Sequence, residues 1–138
     1  TFSENCNNYF NIPHRNERRG IGGIFFDNIT DLSLEDSVKM LKSVANSYTN
    51  SYKKIVDKRK NLDFDELQKE FQLIRRGRYI EFNLVYDRGT LFGLQSKGRI
   101  ESILASLPKN AKWMYKKTDL YEKMEQNLLE VINRDWNV

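Results

Sequence analysis

The sequence predicts an α+β fold in which helices pack against a β-sheet. Three stretches carry apolar residues at the three- and four-residue spacing of an amphipathic helix, and two others carry the patterns of β-strands. The 138 residues are 39% hydrophobic and 12% aromatic, which is enough apolar material for a folded core and argues against intrinsic disorder. We therefore expect residues 1–138 to form one portion of a single folded domain.

The helices are predicted from their apolar faces and their first residues. The first follows Ser33, which resembles an N-cap, with Asp36 as an acid in the first turn. The second begins near Asp63, the third ends near the C-terminus, and a shorter helix runs from about Ile100 to just before Pro108. The apolar faces of the three longer helices are Leu34, Val38, Leu41, Ala45, Tyr48, Tyr52 and Ile55; Phe64, Leu67, Phe71 and Ile74; and Leu120, Met124, Leu128, Val131 and Ile132.

The strands are predicted from two different patterns. Gly20–Phe26 is glycine-rich and then fully apolar, which is typical of a strand buried on both faces. Tyr79–Tyr86 alternates between apolar and polar residues, as a strand with one exposed face does, and Lys112–Tyr115 is a candidate for a short third strand. Two or three strands make a poor sheet alone, so the sheet is expected to need strands from elsewhere.

Composition excludes several kinds of site and protein. A single cysteine, Cys6, excludes an internal disulfide, and a single histidine, His14, excludes a metal site built mainly from histidine and cysteine. No apolar run approaches the ~20 residues of a transmembrane helix. The net charge of +4 is a mild basic excess that suits an anionic ligand at least as well as nucleic acid. Because the chain begins at Thr1 without methionine, we expect a fragment or a processed product.

A charged segment immediately before the first predicted strand is one candidate site. It contains His14, Arg15, Glu17, Arg18 and Arg19 within six residues. Guanidinium groups in such a loop can bind carboxylates or phosphates through paired hydrogen bonds. A solvated charged turn ahead of a core strand is an equally good interpretation. A lone histidine in such a loop is more often a hydrogen-bonding residue than a metal ligand.

Two further candidates lie beyond residue 86. Asp87 and Arg88 stand side by side where the second predicted strand ends, and a turn at Gly89 would direct both towards one cleft. The alternative interpretation is a surface ion pair at a strand end, which contributes little to stability. Lys97 and Arg99 precede the short predicted helix, where backbone N–H groups and cations together suit an anion, although many helix starts look similar.

Together these segments resemble the C-terminal half of oxygen-dependent coproporphyrinogen III oxidase. The resemblance rests on residues 14–27 (HRNERRGIGGIFFD) and 75–95 (RRGRYIEFNLVYDRGTLFGLQ), and it continues through 98–99 (GR), 101–104 (ESIL) and 134–136 (RDW). Motifs this long, in this order, are highly specific. More generic helices at 33–74 interrupt them.

The resemblance implies a fold, a reaction and an assembly. The fold is an antiparallel sheet flanked by helices on both sides, only part of which this chain would contain, in a homodimer. The reaction converts coproporphyrinogen III to protoporphyrinogen IX by oxidative decarboxylation of two propionates to vinyl groups, within haem biosynthesis. Molecular oxygen is the oxidant, and carbon dioxide and hydrogen peroxide are products. The family uses no organic cofactor. A divalent metal is uncertain, and His14 falls at a position sometimes given as a ligand.

The resemblance also implies roles for single residues. The implied catalytic residues are Asp87 and Arg88, and the implied substrate-binding residues are Arg19, Lys97, Gly98 and Arg99. Asp87 would accept hydrogen bonds from pyrrole N–H groups, while arginines hold propionates. The dimer contact is expected over residues 79–114, with an apolar face that includes Leu91, Phe92, Leu94, Ile103 and Leu104.

Departures from the family pattern qualify what the isolated chain can do. Lys97 stands where the family usually has glycine, and Asn28 stands where an acid is common. The family's chains are much longer than this one, so we expect this chain alone to hold half an active site and to be inactive.

Two other functions and two locations stay open at this point. The chain is alternatively a non-catalytic dimerisation fragment, or a basic nucleic-acid-binding module of α+β fold, although no nucleic-acid-binding motif is present. The expected location is the cytoplasm, with the mitochondrial intermembrane space as the alternative.

Overall fold

The computed structural model describes residues 1–134 and residue 136, and these residues are mostly helical. The chain divides into two compact units, Thr1–Phe25 with Asp65–Val138, and Phe26–Phe64. The first unit contains α1 (Phe2–Tyr9), β1 (Asn11–Ile12), β2 (Glu17–Arg18), α3 (Glu66–Val85), α4 (Arg88–Gln95), α5 (Ile100–Ile103) and α6 (Asp119–Ile132). The second contains α2 (Leu34–Arg59). Within the described part of the chain, no helix combines the length and the apolarity that crossing a bilayer requires.

The two strands form a small antiparallel hairpin directly after α1. Ile12 pairs with Glu17 across it, and a 3₁₀ turn at Pro13–Arg15 connects the strands. The turn ends at Asn16, whose φ of 51° lies in the left-handed region that asparagine tolerates better than most residues. Among the described residues, the expected sheet packed with helices is present only as this two-stranded antiparallel hairpin in a mostly helical chain.

The predicted strand at Tyr79–Tyr86 is wrong, because these residues complete α3 and its C-cap. Ile74, Arg78 and Phe82 are buried and lie four residues apart, which is the period of a helix. Leu84, which the strand pattern places on the same face as Phe82, is 41% exposed. The two-residue alternation within one short window concealed a longer helical period that starts before it.

The predicted strands at Gly20–Phe26 and Lys112–Tyr115 are also wrong, since both segments are irregular. Ile21 is 57% exposed and Ile24 is 50% exposed, so the first segment is not buried on both faces. A central strand needs a hydrogen-bonded neighbour on each edge, and in the described residues the β1–β2 hairpin ends before this segment begins.

Other helix predictions are confirmed. Ser33 caps α2, and its side chain accepts a hydrogen bond from the backbone N–H of Asp36 at 3.1 Å. The predicted α6 is present, and α5 with the 3₁₀ turn at Leu104–Ser106 ends before Pro108. None of the residues of α2 is buried, so its predicted apolar face stays exposed.

Helix starts differ from the prediction in three places. α3 begins after Asp65 rather than near Asp63, and Asp65 and Gln68 form a reciprocal capping box. Two short helices were not predicted: α1, which Thr1 caps, and α4, which Asp87 caps. Each has eight residues, which is too few turns for a periodic apolar face to stand out.

The core of the first unit joins α1 and the hairpin to α3. Phe82 of α3 and Ile12 of β1 are fully buried. Tyr9 stacks on Phe25 with ring centroids 4.5 Å apart, and Phe10 lies 5.4 Å from Phe82. Aromatic pairs at these separations contribute beyond the area that they bury. The end of α1 is thereby fixed against the middle of α3.

We expect Gly77→Ala to destabilise the chain. A Cβ at this α3 position would lie 2.9 Å from the Lys112 carbonyl oxygen and 3.2 Å from the Trp113 ring, and a backbone oxygen cannot swing away. Overpacking costs ~1–3 kcal/mol, whereas alanine in a helix gains up to ~1 kcal/mol over glycine. We expect a net loss of about 1 kcal/mol by urea unfolding. Gly20→Ala is the control, because nothing lies within 4 Å of its added Cβ. If Gly77→Ala and Gly20→Ala unfold at the same urea midpoint, the predicted destabilisation by Gly77→Ala is wrong.

Candidate functional site

Asp87 lies at the start of α4 and is held by hydrogen bonds to both carboxylate oxygens. Its Oδ2 accepts from the backbone N–H and the hydroxyl of Thr90, each at 2.8 Å, and its Oδ1 accepts from the Tyr9 hydroxyl at 3.0 Å. Burial alone would raise the pKa of Asp87, but the hydrogen bonds from Thr90 and Tyr9 outweigh it and hold that pKa below its ordinary value. The carboxylate is therefore ionised at neutral pH.

Arg88 joins the same group through Tyr9. Its backbone N–H donates to the Tyr9 hydroxyl at 3.1 Å, and its guanidinium lies 4.7 Å from the centre of the Tyr9 ring. A cation over an aromatic face is attracted to the ring's negative π surface. The structure thus brings Asp87 and Arg88 together at one tyrosine, at a helix start rather than at a strand end.

Arg19 packs against the aromatic core. Its guanidinium is 4.1 Å from the ring centre of Phe10 and 4.8 Å from that of Phe82, and it donates to Asn83 Oδ1 at 3.3 Å. Burial lowers the pKa of Arg19, while the charge of Asp87 acts in the opposite direction. The ordinary pKa of an arginine is so high that Arg19 stays charged despite this shift. Arg19 is therefore a partly buried cation that interacts electrostatically with Asp87.

Lys97, Gly98 and Arg99 form the turn between α4 and α5. Lys97 has a φ of 59°, a left-handed conformation that glycine adopts without strain, and this explains why a glycine suits the position. Arg99 is the N-cap of α5, and its exposed side chain pairs with Glu101 at 3.5 Å. Within residues 1–134 and 136, no hydrogen bond or ion pair links this turn to Asp87. Its role in binding stays a prediction.

The predicted dimer residues lie on and after α4. Phe92 is 71% exposed, whereas Ile103 packs against Gly93, where an added Cβ would lie 3.0 Å from its side chain. Leu91, Leu94 and Leu104 are partly exposed. The dimer contact stays a prediction.

A second cluster centres on Glu81 of α3. Its carboxylate accepts from His14 Nε2 at 2.7 Å, from Arg15 Nε at 2.8 Å and Nη2 at 2.7 Å, and from Trp113 Nε1 at 2.9 Å. Hydrogen bonds from Arg15 lower the pKa of Glu81 to about 2, even though its burial acts in the opposite direction. Glu81 therefore anchors the turn of the hairpin to α3.

Both ring nitrogens of His14 contact protein side chains. Its Nδ1 is 2.8 Å from the Tyr86 hydroxyl, and its Nε2 contacts Glu81, so both ring nitrogens already have protein partners. The described residues contain no group of three histidine, cysteine or carboxylate side chains arranged to hold an ion. A metal at His14 stays a prediction.

Buried charges tie β2, α3 and α6 together. Arg78 Nε lies 3.1 Å from Glu17 Oε1 and Arg75 Nη2 lies 3.2 Å from the same atom, although the Arg78 contact lacks hydrogen-bond alignment. Glu125 of α6 pairs with both arginines at 3.4 and 3.5 Å, and also with Lys117. Removing one member of this network leaves a buried charge with fewer opposite charges around it, which is costly.

The pKa of Glu81 predicts how stability depends on pH. Its folded-state pKa of about 2 lies below the ordinary 4.5, so ionised Glu81 stabilises the fold above about pH 4.5. That stabilisation is lost as pH falls from about 4.5 towards 2. We expect Glu81→Gln to lower the free energy of unfolding by about 2 kcal/mol at pH 7, with the difference vanishing near pH 2. Urea unfolding across pH 2–7 measures it.

The control for Glu81→Gln is Glu35→Gln on α2, where the glutamate side chain is 80% exposed. This variant should keep the pH dependence of the unchanged chain. If Glu81→Gln and the unchanged chain differ in stability by the same amount from pH 2 to pH 7, ionisation of Glu81 does not stabilise the fold.

Tyr9, Thr90 and Trp113 are site residues that the sequence patterns did not single out. Tyr9 and Asp87 are 78 positions apart, and no local spacing connects them. Of these three residues, only Thr90 could have been found from the sequence. Asp87 lies three residues before it, which is the spacing between a helix N-cap and the residue whose N–H it accepts from.

Comparison with known proteins identifies the family. The family described as coproporphyrinogen III oxidase matches residues 1–137. The chain is 50% identical over 137 residues to the oxygen-dependent coproporphyrinogen-III oxidase of Francisella philomiragia, covering 99% of this chain and 44% of that protein. It is 48% identical over 136 residues to the protein of the same description from Francisella tularensis, covering 98% and 44%. The chain thus spans less than half the length of these relatives, and it belongs to the coproporphyrinogen III oxidase family.

Proposed function

We propose that this chain supplies the Asp87–Arg88 site of an oxygen-dependent coproporphyrinogen III oxidase. For each of two propionates, the reaction takes up one O₂ and one proton and yields a vinyl group, CO₂ and H₂O₂. The observation that carries the proposal is the ionised Asp87 carboxylate bonded to Tyr9, with the Arg88 guanidinium over the same ring and the charge of Arg19 acting on Asp87. The chain is also 50% identical to an enzyme of this description.

The substrate's chemistry suits this arrangement. Coproporphyrinogen carries four propionates and four pyrrole N–H groups. The Asp87 carboxylate accepts pyrrole N–H bonds and stabilises positive charge that develops on an electron-rich ring as it reacts with oxygen. Arg88 holds a propionate in register for loss of CO₂, and Arg19 and Arg99 hold others. In each propionate the bond between the α-carbon and the carboxyl carbon breaks, and CO₂ leaves. The electron pair of that bond completes the vinyl double bond, while a hydride equivalent moves to oxygen from the carbon attached to the pyrrole.

The reaction proposed here needs molecular oxygen and no organic cofactor. Oxygen is the two-electron acceptor for each propionate, and its product H₂O₂ takes up the hydride equivalent and the proton. No step proposed for the reaction requires His14 to bind a metal.

We further propose that activity requires the part of the family that this chain does not span. That part would complete an antiparallel sheet flanked by helices on both sides, and this chain alone would be inactive. The exposed apolar face of α2 supports the idea, because Leu34 is 83% exposed and Ile55 is 59% exposed. The two Francisella relatives are bacterial proteins, which favours a cytoplasmic location over the mitochondrial intermembrane space.

The test is a chimaeric enzyme. Residues 1–138 are joined to the part of the Francisella philomiragia relative that they do not match, and O₂-dependent formation of protoporphyrinogen IX is assayed. We expect turnover with CO₂ and H₂O₂ released, and none from the isolated chain. An Arg99→Ala chimaera should show a raised KM, since a charged hydrogen bond contributes about 1.5–3 kcal/mol. A folded chimaera that binds coproporphyrinogen and does not convert it would overturn the proposal.

We expect the chimaera to be a homodimer through α4 and α5. Phe92 is 71% exposed on this surface, and a charge in the middle of an apolar contact is costly. Phe92→Glu should shift the sedimentation coefficient to that of a monomer at micromolar concentration. Tyr115→Glu is the control, because Tyr115 is fully exposed just beyond the expected contact. A monomeric unchanged chimaera would contradict the dimer.

A further inference from the structure

The Tyr9 hydroxyl connects the two proposed catalytic residues. It donates to Asp87 Oδ1 at 3.0 Å and accepts from the backbone N–H of Arg88 at 3.1 Å. A phenol has one hydrogen to donate and can accept at its oxygen, so these two bonds are compatible and fix the orientation of the O–H bond. The hydroxyl thereby specifies one position for Oδ1 relative to the backbone of Arg88.

The Tyr9 ring is itself held on several sides. It stacks on Phe25 with an interplanar angle of 11°, and it meets Phe10 and Phe82 edge to face at 4.8 and 5.7 Å. Phe82 is fully buried. The Arg88 guanidinium lies over the same ring at 4.7 Å. A ring packed in this way cannot move its hydroxyl without disturbing the core, so it is a rigid support.

The two carboxylate oxygens of Asp87 accept hydrogen bonds from different residues. Oδ2 accepts from the backbone N–H and hydroxyl of Thr90, as an N-cap aspartate does. Oδ1 accepts from Tyr9, which belongs to a different element. Thr90 thus fixes one end of the carboxylate to α4, and Tyr9 fixes the rotation of the other end.

We infer that Tyr9 is a positioning residue that orients the Asp87 carboxylate and the Arg88 guanidinium towards one substrate. This inference rests on the proposed function. Tyr9 acts through hydrogen bonding and ring contact on groups that touch the substrate. Its hydroxyl also favours the ionised form of Asp87, which the reaction needs.

The first experiment uses the chain itself and needs no activity. Tyr9→Phe removes the hydroxyl and keeps the ring, and the titration of the Asp87 carboxyl carbon is followed by NMR. We expect the pKa of Asp87 to rise in this variant, because a hydrogen bond to the charged form is lost. Tyr121→Phe is the matched control, since it removes a tyrosine hydroxyl that is hydrogen-bonded to Glu70 instead.

The second experiment measures catalysis in the chimaera. Tyr9→Phe should lower kcat roughly 10- to 100-fold with KM changed less than about threefold, since misorientation of a catalytic group affects the chemical step most. Tyr121→Phe should keep kcat.

An unchanged titration of Asp87 in a folded Tyr9→Phe chain would overturn the positioning role, as would a normal kcat in the folded chimaera. If the unchanged chimaera has no activity, the proposed function fails, and the titration still decides whether Tyr9 holds the carboxylate.

Discussion

We expect Asp87→Asn to lower the turnover of the chimaeric enzyme by at least ~100-fold and to change substrate affinity much less. The substitution preserves the shape of the side chain and one oxygen that can cap α4, but it removes the negative charge and puts an amide NH2 where an oxygen accepts from Tyr9. If that charge stabilises a cationic pyrrole, the chemical step loses the interaction, whereas arginines still hold the propionates. Single-turnover decarboxylation, measured alongside thermal unfolding, separates the two effects.

The competing interpretation is that Asp87 is simply a helix cap, and Asp65 provides a matched control for it. Asp65 caps α3 and accepts from the backbone N–H of Gln68, much as Asp87 accepts from that of Thr90. Asparagine caps helices about as well as aspartate, so both variants should keep their caps, and Asp87→Asn should cost more stability than Asp65→Asn only by the lost hydrogen bond from Tyr9. Asp65→Asn should leave turnover unchanged. A folded Asp87→Asn enzyme with the same turnover as the Asp65 variant would make Asp87 a structural cap.

Helices with local signals could be predicted from the sequence. The Ser33 cap with its acid at Asp36 and the apolar period of α6 are contained within a few turns, and the structure has both. The strands could not be predicted, because their patterns are ambiguous over short windows. An apolar run such as Gly20–Phe26 becomes a strand only if a neighbour pairs with it, and pairing is a property of distant segments.

The candidate site shows the same division between local and distant information. Asp87 and Arg88 are adjacent, so a motif that contains both can point to them. Tyr9 reaches them only because the aromatic core fixes the end of α1 against α3, and that contact joins segments 73 positions apart, from Tyr9 to Phe82. The left-handed backbone at Lys97 also could not be predicted locally, because a lysine, unlike a glycine, does not indicate a positive φ.

We expect Arg78→Met to destabilise the chain by about 3–5 kcal/mol at pH 7, the range for removing one partner of a buried ion pair. Arg78 is 4% exposed and contacts the carboxylates of Glu17 and Glu125, which are themselves 7% and 9% exposed. Methionine fills much of the space but leaves those carboxylates short of positive charge. Arg75 still pairs with both, which prevents a larger loss. Urea unfolding gives the difference in free energy.

Two features distinguish this loss from ordinary loss of packing. First, the deficit should shrink as pH falls towards 4, because carboxylates that lack a cation take up protons more readily and a protonated carboxyl needs no charged partner. Second, Lys39→Met, which breaks a pair with Glu35 on the exposed surface of α2, should change stability by no more than about 0.5 kcal/mol. An Arg78 deficit that stays constant from pH 7 to 4 would mean that the guanidinium contributes through its packing, and that the buried carboxylates do not depend on its charge.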